Sequence, residues 1–355
     1  MEPQTTQPPR VDRNNHPAVV AAGSVLLRDW APDSSLVVPT TSIPKARFPV
    51  IDVHAHNSYA KTPEEIREWV RVMDQVGVET TVIFTGAVGA KLDEWAELYL
   101  KPHLGRFQLW AGVLTEGIEA PDYPQRAAAE VERCYRKGAR GLGELSDKGL
   151  GYARDPSIPR DKRLHPDDPR LDLVWKKAAE LKMPANIHMA DHPSAWRPPD
   201  NRQERPPKFQ VYNQYGKDVP SYEEILEIRD RLLTRHPENT FIAAHLANQG
   251  NDLASLSKVM DRFANLYLDI SARSYELGRQ PRQATKFLKK YKKRILFGTD
   301  QGRRGEMYQA WWRFLESPDE YVPDQSWWPI YGLELPQSLL KAIYRGNAKR
   351  ILNWQ

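Results

Sequence analysis

Eight short apolar runs recur along the chain, each followed by a stretch of helical spacing, and this alternation limits the fold more than any other feature. The runs are 49–54, 80–85, 107–113, 139–144, 184–188, 240–245, 265–270 and 294–299. Short apolar runs with a helix between each pair are the pattern of parallel strands buried on both faces. Eight such units predict a (β/α)8 barrel. An open doubly wound sheet is the alternative, but no GxGxxG opens the first βα turn. The first helix carries its own start signals: Thr62 as cap, Pro63 in the first turn and Glu65 three residues after the cap. Ile66, Val70, Met73 and Val76 then hold a helical spacing.

The chain has 355 residues, 40% of them hydrophobic and 27% charged, which is enough apolar material for a full core. Residues 1–45 are rich in Pro, Thr and Arg and read as a tail or arm. Residues 46–355 form the barrel domain, with insertions at about 145–168 and 191–220 that should build its lid. A net charge of +5 is small for this length, and the basic run Lys289–Arg294 sits at a helix end. No groove-reading motif is present, so nucleic acid is not an expected partner. Cys134 is the single cysteine, which excludes an intrachain disulfide framework and a Cys-based zinc cluster. No stretch is long and apolar enough for a bilayer, so no membrane partner is expected. Residues 1–15 lack the apolar core of a signal peptide. The cytoplasm is the default compartment, with a secreted form trimmed of its leader left open.

In such a barrel, chemistry sits at the C-terminal ends of the strands. The first strand ends in Asp52-Val53-His54-Ala55-His56. Regular alternation puts Asp52, His54 and His56 on one face and Ile51, Val53 and Ala55 on the other. Two imidazoles so spaced can hold one cation, and Asp52 is a candidate to orient one of them. Gly143-Glu144, His188, His245 and Asp300 end four further strands. Buried imidazoles and carboxylates are costly unless paired, and a shared cation removes that cost. A metal site is therefore expected. His192, before Pro193, is expected to anchor its loop, and His16, His103, His165 and His236 to be structural.

The ordered set of Asp52 to His56, His188, His245 and Phe297-Gly298-Thr299-Asp300 resembles the amidohydrolase superfamily, more closely its amidohydrolase-related (amidohydrolase 2) branch. The ending Tyr344-Arg345-Gly346-Asn347-Ala348-Lys349-Arg350-Ile351-Leu352 is similar to that branch as well. The likeness runs from about Phe48 to the C-terminus, leaving out the first forty-odd residues and the 191–220 insertion. It implies that His54 and His56 hold a divalent metal, with His188 as third imidazole. His245 would ligate a second metal or contact the substrate or the activated water. Asp300 would touch the metal-bound water and shuttle its proton. Glu144 stands where two-metal members carry a bridging group. It is a candidate ligand, or else bonds a neighbouring backbone or Arg. Zinc is the expected metal and manganese the second choice, since bound zinc brings its water to a pKa of about 7.

The 191–220 loop offers Trp196, Arg197, Arg202, Arg205, Tyr212 and Tyr215, and Arg273 lies just past the seventh strand. Arginine suits a carboxylate, and Trp and Tyr suit a ring. Arg197, Arg273, Trp196 and Tyr215 are the expected substrate contacts. The pairs Trp311-Trp312 and Trp327-Trp328 are expected to pack. The leading expectation is a metal-dependent hydrolase acting on a small polar molecule such as a lactone, with Asp300 and His245 as catalytic groups. The alternatives are a nonoxidative decarboxylase or hydratase of a carboxylated ring, and a ligand-binding barrel without catalysis. A homodimer is the expected assembly.

Overall fold

The computed structural model describes Leu26 and residues 35–200, 202–204, 207–322, 328–352 and 354. Most of the expected tail, with His16, lies outside the described residues, as do Arg205 and Trp327. The chain divides into two units, Met1–Val38 and Pro39–Gln355, and the second carries every strand among the described residues.

Eight parallel strands follow one another in sequence order: β1 Val50–His56, β2 Val78–Phe84, β3 Phe107–Ala111, β4 Ala139–Asp147, β5 Ala185–Met189, β6 Phe241–Ala243, β7 Leu266–Asp269 and β8 Ile295–Leu296. Backbone bonds between β1 and the residues after β8 close the ring. Val53 N–H donates to Phe297 O and Asp300 N–H to His54 O, both at 2.9 Å. The (β/α)8 barrel expected from the alternation is the fold.

Helices α1 Pro63–Val76, α2 Gly89–Tyr99, α3 Tyr123–Arg136, α4 Asp172–Glu180, α5 Tyr222–Arg235 and α6 Leu253–Arg262 lie between the strands. A short α7, Ser274–Arg279, which the sequence pattern does not announce, precedes α8 Pro281–Lys290. After β8 come α9 Gly305–Glu316 and a final run of Gln337–Lys341, a π-helical turn Ala342–Gly346 and Asn347–Ile351. No helix among the described residues is long and apolar enough to cross a membrane.

Local chemistry explains α1. The Thr62 hydroxyl accepts from Glu65 N–H at 3.2 Å, and the Glu65 carboxylate accepts from Thr62 N–H at 3.1 Å. Such a reciprocal cap satisfies two otherwise orphaned donors. Gly77 ends the helix at φ +91°, a left-handed conformation that costs glycine little. Ile66, Trp69, Met73 and Val76 are the face it buries.

The barrel interior is filled by Ile51, Val53, Val82, Phe84, Trp110 and Leu296, with Ala348 and Leu352 of the final run packed on the same cluster. Trp110 is fully buried and donates its indole N–H to Gln108 Oε1 at 2.8 Å. Glycines on β4 make room for it: a Cβ at Gly141 would collide with the Trp110 ring, and one at Gly143 would lie 3.2 Å from it. Trp110→Ala is expected to cost about 3–5 kcal/mol by emptying this space. A denaturant midpoint equal to wild type would show that the ring is not part of the core.

The first strand departs from regular alternation. Asp52 pairs with Thr81 and Ala55 with Ile83, three residues on β1 against two on β2, which is a bulge. Ile51 and Val53 therefore face the interior together with the histidines that follow, while Val50 and Ala55 pack in the outer layer. Asp52 does not share the face of His54 and His56, contrary to the alternation read from sequence. Its carboxylate accepts from the Tyr308 hydroxyl of α9 at 2.9 Å, the Thr299 hydroxyl at 2.7 Å and Thr299 N–H at 3.1 Å. It ties β1 to the β8 turn and accepts from the His54 backbone N–H at 3.1 Å, but among the described residues it bonds no imidazole nitrogen.

Candidate active site and metal centre

The strands end in the expected ring of ligand-type side chains. His54 and His56 close β1, Glu144 lies in β4 and His188 in β5. β6 and β8 are shorter than their apolar runs, so His245 and Asp300 stand on the turns beyond them. Those turns are strained. φ is +57° at His245 and stays positive through Asn248, and it is +51° at Asp300. Left-handed non-glycine residues cost about 1–3 kcal/mol each and persist where the surroundings enforce them. Gly298 is required by close approach: a Cβ there would lie 2.8 Å from that of His54.

The centre of the ring is crowded with donor atoms. Glu144 Oε1 is 2.6 Å from His188 Nδ1, 3.4 Å from His245 Nε2 and 3.6 Å from His54 Nε2. Asp300 Oδ1 is 3.1 Å from His56 Nε2 and 3.8 Å from His54 Nε2, and its Oδ2 is 3.7 Å from His245 Nε2. Two sets come within mutual ligand distance: His54, His56 and Asp300, and His54, Glu144 and His245. His188 is in neither set. It faces Glu144 through Nδ1, while its Nε2 is buried without a hydrogen-bond partner among the described residues.

A buried carboxylate that sequence reasoning missed, Asp269 at the end of β7, fixes two of the rings. It accepts from His54 Nδ1 at 3.0 Å, Asn186 Nδ2 at 3.0 Å and His245 backbone N–H at 3.0 Å. The Ser271 hydroxyl also donates to it. Having given its proton to Asp269, Ser271 Oγ accepts from His245 Nδ1 at 2.9 Å, and the Ser271 carbonyl lies 2.9 Å from the same nitrogen. Both Nδ1 atoms therefore carry hydrogen, and in the neutral rings both Nε2 lone pairs point at Glu144 and Asp300.

Lone pairs facing carboxylates repel unless a positive charge lies between them. Burial works against a charge on His54, yet the carboxylates of Asp269, Asp300 and Glu144 push its pKa up to about 10. The same field attracts a divalent cation. His54 Nε2 is buried with no hydrogen-bond partner among the described residues. This mixture of imidazole and carboxylate fits a divalent metal.

Tyr59, just past β1, was also missed. Its hydroxyl donates to Asp300 Oδ1 at 2.8 Å, and burial together with Asp300 raises its pKa, so it remains a donor. Only its position three residues after His56 hints at the role.

Above the cluster opens a cavity of about 590 Å³. Of the expected substrate contacts, Arg273 lines it. Trp196 does not: its indole N–H donates to Pro220 O at 2.9 Å and its ring packs on Tyr222, holding the loop's base. Arg197 and Tyr215 are exposed and outside the lining. Their loop instead contributes Glu204, Phe209, Tyr212 and Gln214. Trp311 and Trp312 pack in the core as expected, but Trp328 lines the cavity, against the packing role read from sequence. His192 caps the turn Pro193–Trp196, accepting from Ser194 N–H at 3.2 Å. His165 pairs with Asp147 at 2.6 Å, and His236 ends α5, 3.3 Å from Asp172.

A (β/α)8 barrel with imidazoles and carboxylates converging at its strand ends defines a metal-site barrel of an enzyme class. A family model described as Amidohydrolase (Amidohydro_2) matches residues 15–354, and the chain belongs to that family. No curated protein matches the sequence. Solved structures share the fold at low identity. A 2,6-dihydroxybenzoate decarboxylase from Rhizobium aligns with a TM-score of 0.52 and 16% identity over 86% of this chain and 98% of that one. An uncharacterised TIM-barrel protein from Bordetella bronchiseptica gives 0.52 and 16% over 86% and 98%. A 5-carboxyvanillate decarboxylase from Novosphingobium aromaticivorans, complexed with manganese and 4-hydroxy-3-methoxy-5-nitrobenzoic acid, gives 0.51 and 14% over 88% and 99%. At these identities the likeness speaks for the fold alone.

Proposed function

We propose that the protein is a divalent-metal-dependent nonoxidative decarboxylase of a hydroxylated, carboxylated ring. The observation that carries this reading is that Asp300 and His245, each a member of one of the two candidate ligand sets and each able to pass a proton, line the cavity where a substrate would meet the metal. Two barrels of the same fold bear the names of aromatic-acid decarboxylases, and one was solved with manganese, which favours manganese over the zinc expected from sequence. A bound divalent cation would hold the substrate's anionic oxygens and stabilise charge developing on the ring.

The chain's own residues do the rest. Asp269 and Ser271 hold His54 and His245 with Nε2 toward the ligand centre. Tyr59 and His56 engage Asp300 Oδ1, and although burial raises its pKa, the His54, His56 and His245 imidazoles hold the carboxyl well below the usual carboxylate range, so Oδ2 rests ionised and free to take up a proton. Asp300, or His245 through Nε2, takes a proton from solvent water and delivers it to the ring carbon bearing the carboxylate. The C–CO2 bond then breaks, its electron pair returns to the ring, and carbon dioxide leaves. The buried Arg273 guanidinium lines the wall, held by Glu276 at 3.3 Å and by the Asn248 side chain.

The test is carbon dioxide release from hydroxybenzoates by metal-loaded protein in D2O. The expected result is stoichiometric release with one deuterium on the vacated carbon. Hydrolysis of a lactone with no carbon dioxide from any aromatic acid would overturn the reading in favour of a hydrolase using the same groups on water.

A further inference from the structure

The cavity of about 590 Å³ falls within the range of about 300–1,000 Å³ that encloses drug-sized ligands. A single carboxylated ring occupies only part of it. The wall beyond the ligand cluster carries four aromatic side chains from three separate segments: Phe209 and Tyr212 on the second insertion, Tyr275 on α7 and Trp328 on the loop after α9. Tyr212 and Trp328 remain 45% and 51% exposed. Aromatic surface left in water is free energy unspent until a ligand covers it.

This wall is built rather than loosely hung. Lys148 Nζ lies 4.5 Å from the Tyr212 ring centroid and is itself held by Asp191 at 2.9 Å, so a fixed cation orients the ring. Two residues on, Gln214 N–H donates to Ala195 O at 2.7 Å, and Trp196 fastens the loop to Pro220. The aromatic contribution comes from the second insertion, the short helix after β7 and the loop after α9, the βα connections that determine what a barrel's mouth accepts.

We propose that these side chains form a second ring subsite and that the substrate is a two-ring aromatic carboxylic acid. The acid-bearing ring lies at the metal cluster and the other ring lies against Tyr212 and Trp328. The proposal rests on the decarboxylase reading for the reacting group only; the second subsite stands on the cavity itself.

The experiment compares 2-hydroxybenzoate with 1-hydroxy-2-naphthoate, which keeps the same acid and hydroxyl and adds one fused ring. Binding to the manganese-loaded full-length protein is measured by titration calorimetry. The naphthoate is expected to bind about tenfold or more tightly, from the apolar surface of the added ring. In the Tyr212→Ala/Trp328→Ala double variant the gap between the two acids should shrink to within about twofold. Both side chains are partly exposed, and circular dichroism checks that the variant folds. Should it not, the single Trp328→Ala variant decides by the same comparison. Equal affinities in wild type, failure of both acids to bind, or a gap that survives the substitutions would overturn the proposal. Carbon dioxide release is followed in parallel. Preferential naphthoate binding without any release sinks the decarboxylase reading and leaves the subsite supported.

Discussion

Asp300→Asn is expected to lower kcat by about 10²–10⁴-fold while the protein keeps its fold. Asparagine matches the shape of aspartate, and its carbonyl can still accept from the Tyr59 hydroxyl, 2.8 Å away in the native protein. What it cannot do is take up and return a proton. Metal per chain, measured by plasma mass spectrometry, separates two roles for Asp300. Retained metal with lost turnover assigns the proton to this carboxylate. Lost metal assigns the effect to the set it forms with His54 and His56. Unchanged turnover would remove Asp300 from the chemistry altogether.

Asp269→Asn should weaken metal binding by about 10–100-fold, the usual consequence of losing a carboxylate that orients a ligand histidine. The native carboxylate only accepts, and its donors come from His54, Asn186, the His245 backbone and Ser271. An asparagine amide offers one acceptor oxygen and one NH2 group. Whichever way it turns, a donor meets a donor in a fully buried site. That mismatch costs about 1–3 kcal/mol of stability, and it frees the His54 ring to rotate or change tautomer. Asp52→Asn is the control. Asp52 is equally buried and binds Thr299, Tyr308 and the His54 backbone N–H but no imidazole, so the variant should lose stability and change metal affinity less than Asp269→Asn does. A metal titration that cannot distinguish the two variants would sink the orienting role given to Asp269.

Asp52 and Asp269 also show where a reading of the chain stops. Both are single acidic residues in apolar strand ends, and both have the same local pattern. The alternation of β1 points Asp52 toward the metal, whereas one extra residue in the β1–β2 pairing turns it to α9. A bulge leaves no mark in composition or period. Asp269 gains its role only because β7 closes next to β8 and so stands beside β1, more than two hundred residues earlier in the chain. The insertion loops behave the same way. Trp196, Arg197 and Tyr215 have the right chemistry for recognition, but it is Glu204, Phe209, Tyr212 and Gln214 that reach the cavity. An aperiodic loop does not say which of its side chains turns inward.

By itself the sequence determined the eight strands, the helices between them other than the short α7, the capped start of α1, and the histidines and acids that the strands carry to one rim. Those follow from apolar period and turn chemistry, which act over a few residues at a time. Tertiary structure alone decided the direction of Asp52, the hold of Asp269 and Ser271 on two imidazoles, the Tyr59 contact to Asp300 and the aromatic wall of the cavity. Each of these depends on contacts between segments far apart in the chain, and such contacts exist only once the barrel has closed.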